Sequence, residues 1–119
     1  GLNELYYQLN KDYFGDNMVV DQLIEREWMR IPHFYRAFYV YKYSTGFCAA
    51  MALSASLTDP DPQKAQAAQN RYLKFLSSGS SADPIDLLKM AGVDMSKPDP
   101  IEQAMATFEK MLQRMEEML

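Results

Sequence analysis

The sequence is poorest in the residues that build covalent and metal-bound scaffolds: it holds one cysteine, one histidine and one tryptophan. A single cysteine forms no internal disulfide, and a lone thiol in a chain without a secretory leader leads to the expectation of a reducing, cytoplasmic setting. A zinc site takes three or four His, Cys or carboxylate ligands. With one His, one Cys and no His-Glu-x-x-His pair, no residue here is expected to ligate a metal. Gly-x-Ser-x-Gly is absent, and the Ser77–Ser81 stretch lacks the Gly-x-x-x-x-Gly-Lys-Ser/Thr pattern of a phosphate cradle. That stretch reads as a linker, placed where it could touch a peptide backbone. No apolar run approaches the ~18 residues of a membrane span, so no membrane partner is expected. A basic excess is also missing. The 12 Lys and Arg are outnumbered by 16 Asp and Glu, for a net charge of −4, which is a poor footprint for nucleic acid.

What is present is helical. The 48% apolar fraction is too high for disorder, and the length fits one domain. Neither strand-like alternation nor an internal repeat is found. The chain begins Gly1–Leu2–Asn3 and is amphipathic from the outset, as a piece of something longer would be. Leu2, Leu5, Tyr6 and Leu9 fall on one helix face, and Gly15–Asp16–Asn17 closes that segment. A second helix is predicted from about Met18 to Met29, capped by Asn17, with Val20, Leu23, Ile24 and Trp28 as its buried stripe. Pro32 then biases Ile31 away from helical dihedrals. A new helix, the longest of the chain, is expected from about His33 or Tyr35 to Ser56 or Leu57. Its second half, Cys48 to Leu57, is small and apolar nearly all round, with Cys48 a core residue. Gly46 inside it points to close backbone packing.

Thr58 to Pro62 stops that helix. The next runs from about Asp61 to Leu76, with Ala65, Ala68, Tyr72, Leu73 and Leu76 inward. A short one opens at Asp83–Pro84 and ends at Ala91 with Gly92 as its C′ residue. The last opens at Asp99–Pro100. Its apolar stripe of Ile101, Ala104, Met105, Phe108, Met111, Leu112, Met115, Met118 and Leu119 reads as methionine-rich core filler. The fold class is therefore all-α: a bundle of five to six helices.

Trp28 to Gly46 contains the sole Trp, the sole His and half of the tyrosines. On a continuous helix, Tyr35, Tyr39, Lys42 and Tyr43 would share one face, and Phe34, Phe38, Tyr41 and Thr45 the next. Two readings stand side by side. In one, the tyrosines are bulky core filler, each needing a partner for its hydroxyl. In the other, some of the hydroxyls face a polar cleft, where neutral phenol donors stabilise a developing oxyanion.

The blocks Arg30-Ile-Pro-His-Phe-Tyr35, Phe38-Tyr-Val-Tyr-Lys-Tyr-Ser-Thr-Gly46, Tyr72-Leu-Lys-Phe-Leu-Ser-Ser-Gly-Ser-Ser81 and Pro84-Ile-Asp-Leu-Leu-Lys-Met-Ala-Gly-Val-Asp-Met95 resemble oligoendopeptidase F, of the thimet-oligopeptidase-like zinc peptidases. The resemblance covers nearly the whole chain, in the right order. It implies that residues 1–119 are a single helical C-terminal segment of a larger, mostly helical zinc oligopeptidase, lacking the zinc-binding helix. It places that family's later histidine on His33. Ser44, Phe47, Cys48 and Ala49 match the ending of the clan's Tyr-rich stretch, which puts the key phenol on Tyr41, with Tyr39 beside it. Catalytic roles therefore fall to His33 and Tyr41, and substrate binding to Tyr35 and Tyr39. Phe38 stands where many members carry Tyr, so that contact would be absent. Only Phe34–Tyr35 replaces the longer Gly-rich loop of thimet-type members.

The implied chemistry is metal-assisted hydrolysis of short peptides. Zinc in the full-length enzyme polarises the scissile carbonyl and activates water, and a Glu outside this chain acts as general base. His33 and Tyr41 would donate hydrogen bonds to the oxyanion or the adjacent backbone. The segment alone would bind no zinc and be inactive; its partners would be the oligopeptide substrate and the remainder of the peptidase chain. Two rival classes are a non-catalytic helical interaction module with an aromatic binding face, and a small-molecule-binding bundle.

Overall fold

The helical spacing of Leu2, Leu5, Tyr6 and Leu9 is realised in the computed structural model, which describes residues 1–119. They lie on helix α1, Leu2–Phe14, which ends at Gly15 with the Gly15 amide donating to the Lys11 carbonyl at 2.9 Å. Four further α-helices follow: α2 (Tyr41–Leu57), α3 (Pro62–Ser77), α4 (Pro84–Ala91) and α5 (Asp99–Glu116). Two 3₁₀ helices, Gln22–Arg30 and Pro32–Tyr35, lie between α1 and α2, and no strand is formed. The all-α expectation holds. No helix is long and apolar enough to cross a membrane. Contacts divide the chain into two compact units, residues 1–41 and 42–119.

In the first unit, Gln22–Arg30 departs from the expected α-helix over Met18 to Met29. Asp21, not Asn17, caps it, its carboxylate accepting from the Leu23 amide at 2.7 Å. Asp and Asn both suit this role, and composition alone did not choose between them. This helix packs against α1, where the Trp28 indole N–H donates to Asn3 Oδ1 at 2.9 Å. Of its expected stripe, Val20, Ile24 and Trp28 are half-buried and Leu23 is exposed.

The larger correction concerns the aromatic stretch. Ile31 is extended before Pro32, as the proline requires. The helix that follows, however, lasts only from Pro32 to Tyr35. Arg36 is extended (φ −114°, ψ 114°) and Phe38 sits at φ 57°. Neither conformation propagates a right-handed helix, so α2 begins at Tyr41. With 17 residues it is shorter than α5, which has 18. Tyr35, Tyr39 and Tyr43 consequently do not share a helix face.

In the second unit the core is made of small residues. Ala49 and Ala52 of α2 pack on Val93, flanked by half-buried Leu53, Leu88 and Met95. Cys48 is buried, as its apolar setting predicted. Asp61 caps α3 through the amides of Gln63 and Lys64, with Pro62 in the first turn. α3 packs on α4, which ends at left-handed Gly92 (φ 101°), with the Gly92 and Val93 amides closing onto the Lys89 and Leu88 carbonyls. A methyl group on Gly92 would lie 3.3 Å from Arg71 Nε.

Three burial expectations are corrected here. Leu73 and Leu76 are exposed, while Ala68 is buried and Ala65 and Tyr72 half-buried. On α5 only Pro100 and Ala104 are buried, and Ile101, Met105, Phe108, Met111, Leu112 and Met115 are at the surface. Periodicity reports that a helix has an apolar face, not what covers it. Nothing lies within 4 Å of a methyl group built on Gly46, so the expected close backbone approach is not made by these residues.

Candidate active-site segment

All four residues singled out from the sequence belong to the first unit. His33 is the second residue of the Pro32–Tyr35 turn. Its imidazole stacks on the Tyr39 ring, with centroids 5.5 Å apart and planes inclined by 28°. The extended residues between them bring the two rings together. The Arg36 amide donates to the His33 carbonyl at 3.2 Å, and the Arg36 guanidinium lies over the opposite partner of that stack, 5.7 Å from the Tyr39 centroid. Pro32, His33, Arg36 and Tyr39 line a hollow of about 180 Å³. His33 is exposed and Tyr39 half-buried.

Tyr35 is oriented differently. Its hydroxyl donates to the Met29 carbonyl at 2.8 Å, and its ring is 6.5 Å from that of Trp28. With Leu2, Leu5, Tyr6, Leu9, Trp28 and Phe34 it lines an apolar hollow of about 430 Å³, and Phe34 meets Tyr6 edge-on at 6.2 Å. The Tyr35 hydroxyl proton is thus committed to the backbone, leaving a substrate the oxygen lone pair and an exposed ring face. Tyr41 opens α2 with over half of its surface exposed. The structure therefore pairs His33 with Tyr39 and assigns Tyr35 to the Trp28 side.

Arg36 was not singled out from the sequence. The signal was there: a cation three residues from both His33 and Tyr39. A helical reading of the stretch obscured it, because on a continuous helix the cation–π contact is only one of several neighbour relations.

No group of three or more His, Cys, Asp or Glu side chains is gathered where it would hold a metal, and with one His and one Cys the residues present do not fit a zinc site. In the second unit, Phe75, Leu76, Gly79, Ser80, Ala82, Pro84, Leu87 and Leu88 line a hollow of about 480 Å³ beside the Ser-rich turn.

The histidine and the phenols thus lie on a short irregular segment that leads into a helix rich in small residues. The model of peptidase family M3 matches residues 1–107, and the chain belongs to that family. It is 53% identical to Oligopeptidase PepF of Bacillus subtilis over 118 residues, covering 99% of this chain and 17% of that protein. It is 40% identical to the chromosomal Oligoendopeptidase F of Lactococcus lactis subsp. cremoris, covering 99% of this chain and 19% of that one. A crystal structure from Chlamydophila abortus described as a "putative peptidase" superposes with a TM-score of 0.81 at 36% identity, again over 99% of this chain and 19% of the other. The chain thus spans under a fifth of the length of these relatives, and the resemblance to oligoendopeptidase F read from the sequence is upheld.

Proposed function

We propose that this chain is the substrate-facing C-terminal segment of a cytoplasmic zinc oligoendopeptidase that hydrolyses short peptides. The observation that carries this reading is the His33–Tyr39 stack beside Arg36, on the segment that leads directly into Tyr41. Zinc and the general base belong to the part of the longer protein outside these residues. What this chain supplies is orientation and hydrogen-bond donors. Tyr41 Oη is a phenol hydroxyl, a side-chain hydrogen-bond donor that carries no formal charge. A donor placed where charge develops on the scissile carbonyl oxygen acts on the transition state more than on the bound peptide. His33 is held in place by its stack on Tyr39 and donates to the same oxygen or to the adjoining backbone. Tyr39 and the exposed face of Tyr35 contact the peptide. Residues 1–119 alone are inactive. The exposed apolar faces of α1 and α5 suit coverage by the remainder of the peptidase chain.

The test is Tyr41→Phe in the full-length enzyme, which keeps the ring and removes the donor. Loss of one oxyanion donor lowers kcat by about 10²–10³, with a much smaller change in KM and little change in Tm. Normal turnover with a lowered Tm would return Tyr41 to the scaffold and remove its catalytic role. The exposed apolar stripe of α5 favours a second reading, a helical interaction module. That reading requires a full-length protein that cleaves no peptide yet binds a partner through this segment.

A further inference from the structure

We propose that Arg36 binds a carboxylate of the peptide substrate, making it a specificity-determining residue; this rests on the peptidase reading above. Arg36 takes no part in the ion pairs Arg26–Glu25, Arg30–Glu27 and Lys89–Asp94. Arg26 and Arg30 are paired with glutamates, while Arg36 is held over the Tyr39 ring. A cation–π contact fixes a guanidinium without satisfying its N–H donors. The five donors form a rigid fork that matches a carboxylate in bidentate fashion.

Arg36 borders a defined place. Arg36 shares the 180 Å³ hollow with Pro32, His33 and Tyr39. A water molecule occupies about 30 Å³ of liquid, so the hollow has room for a carboxylate and its adjoining carbons. Pro32 offers no N–H, and Tyr39 is engaged through its ring. Arg36 is therefore the group in this hollow with a full positive charge to offer. In a peptide substrate the acceptor is either the free C-terminus or an Asp or Glu side chain, and both present the same chemistry. Because the hollow includes His33, an anchored carboxylate would also set where the chain passes the proposed catalytic groups.

The experiment uses the full-length enzyme and matched peptides: one with a free C-terminal carboxylate, its C-terminal amide, and a pair differing by one internal Glu-to-Gln exchange. The wild type is expected to prefer a carboxylate peptide over its neutral counterpart about tenfold in kcat/KM, mainly through KM, and less at high salt. Arg36→Gln brings that ratio close to one, and Arg36→Lys leaves an intermediate ratio. Discrimination confined to the first pair assigns the C-terminus, and discrimination confined to the second assigns an acidic side chain; either supports the proposal. A ratio unchanged in Arg36→Gln, an equal loss on both members of a pair, or no preference in the wild type overturns it while leaving the peptidase reading intact. Should the protein cleave neither peptide, calorimetric binding of the same peptides decides. Binding that prefers the carboxylate and loses the preference in Arg36→Gln upholds Arg36 against a failed peptidase reading, and absent or indiscriminate binding overturns both.

Discussion

The imidazole of His33 and the phenol ring of Tyr39 are stacked 5.5 Å apart, and the contact exists because the backbone between them is not helical. Extended Arg36 and left-handed Phe38 fold the segment so that Tyr39 forms a platform shared by an imidazole and a guanidinium. The platform depends on the ring and not on the hydroxyl. Tyr39→Phe in the full-length enzyme should retain both contacts and raise KM a few-fold. Tyr39→Leu removes the aromatic face, a contact worth about 0.5–1.5 kcal/mol for an aromatic pair, and should lower kcat/KM further. Steady-state kinetics on the two variants compare the ring with the hydroxyl. Equal defects in both would place the whole effect in the hydroxyl.

Helix existence and order were legible in the sequence. Pro62, Asp61, Gly92 and the Asp99–Pro100 start mark real boundaries, because capping and proline geometry are local. The aromatic stretch was not legible to the same degree. Pro32 announced a break, but nothing about Arg36 or Phe38 as residue types signals an extended and a left-handed backbone; phenylalanine has no intrinsic liking for positive φ. The family, and with it the candidate residues, was readable from ordered blocks of residues, whereas their geometry depends on those two dihedrals.

The Trp28 indole is joined to α1 by its bond to Asn3 Oδ1 at 2.9 Å, and Trp28 is half-buried. Asn3→Leu removes the acceptor and leaves an indole N–H partly shielded from water. The cost should be about 1–2 kcal/mol, towards the lower end because solvent reaches the site. Chemical denaturation of the variant measures it directly. A change below a few tenths of a kcal/mol would show that water replaces Asn3 without loss.

Asp94 is more acidic than an ordinary aspartate. The Ser96 hydroxyl, 2.5 Å from Asp94 Oδ1, holds its carboxyl below the usual range, aided by the Ser96 amide and the positive charges of Lys89 and Lys97, while partial desolvation opposes them. A lowered folded-state pKa means that the folded state binds fewer protons than the unfolded chain as pH falls. The contribution is complete above the unfolded value, about pH 4, and is lost as pH drops through the lowered value. The stability gap between wild type and Asp94→Asn should therefore be constant from pH 7 to about 5 and close below pH 4. Ser96→Ala should shrink the same gap. Denaturation curves across that range show it.

Two glycines make opposite predictions. At Gly92 the backbone is left-handed (φ 101°) and a methyl group would press on Arg71 at 3.3 Å. Gly92→Ala should cost about 1–2 kcal/mol, chiefly for the backbone, since the arginine side chain can yield. Gly46 lies inside α2 with ordinary helical geometry and open space around it. In residues 1–119 alone, Gly46→Ala should stabilise by about 1 kcal/mol, because alanine loses less conformational freedom in a helix. In the longer protein the sign is expected to reverse. The face around Gly46 carries exposed Phe47 and Ala50, and a helix or strand lying on it would approach the backbone where only glycine fits. Denaturation midpoints for the same substitution in both proteins settle it: stabilisation in each would mean that α2 faces solvent at Gly46. Stabilisation in the short chain with loss in the long one would locate a neighbouring element against that turn of α2.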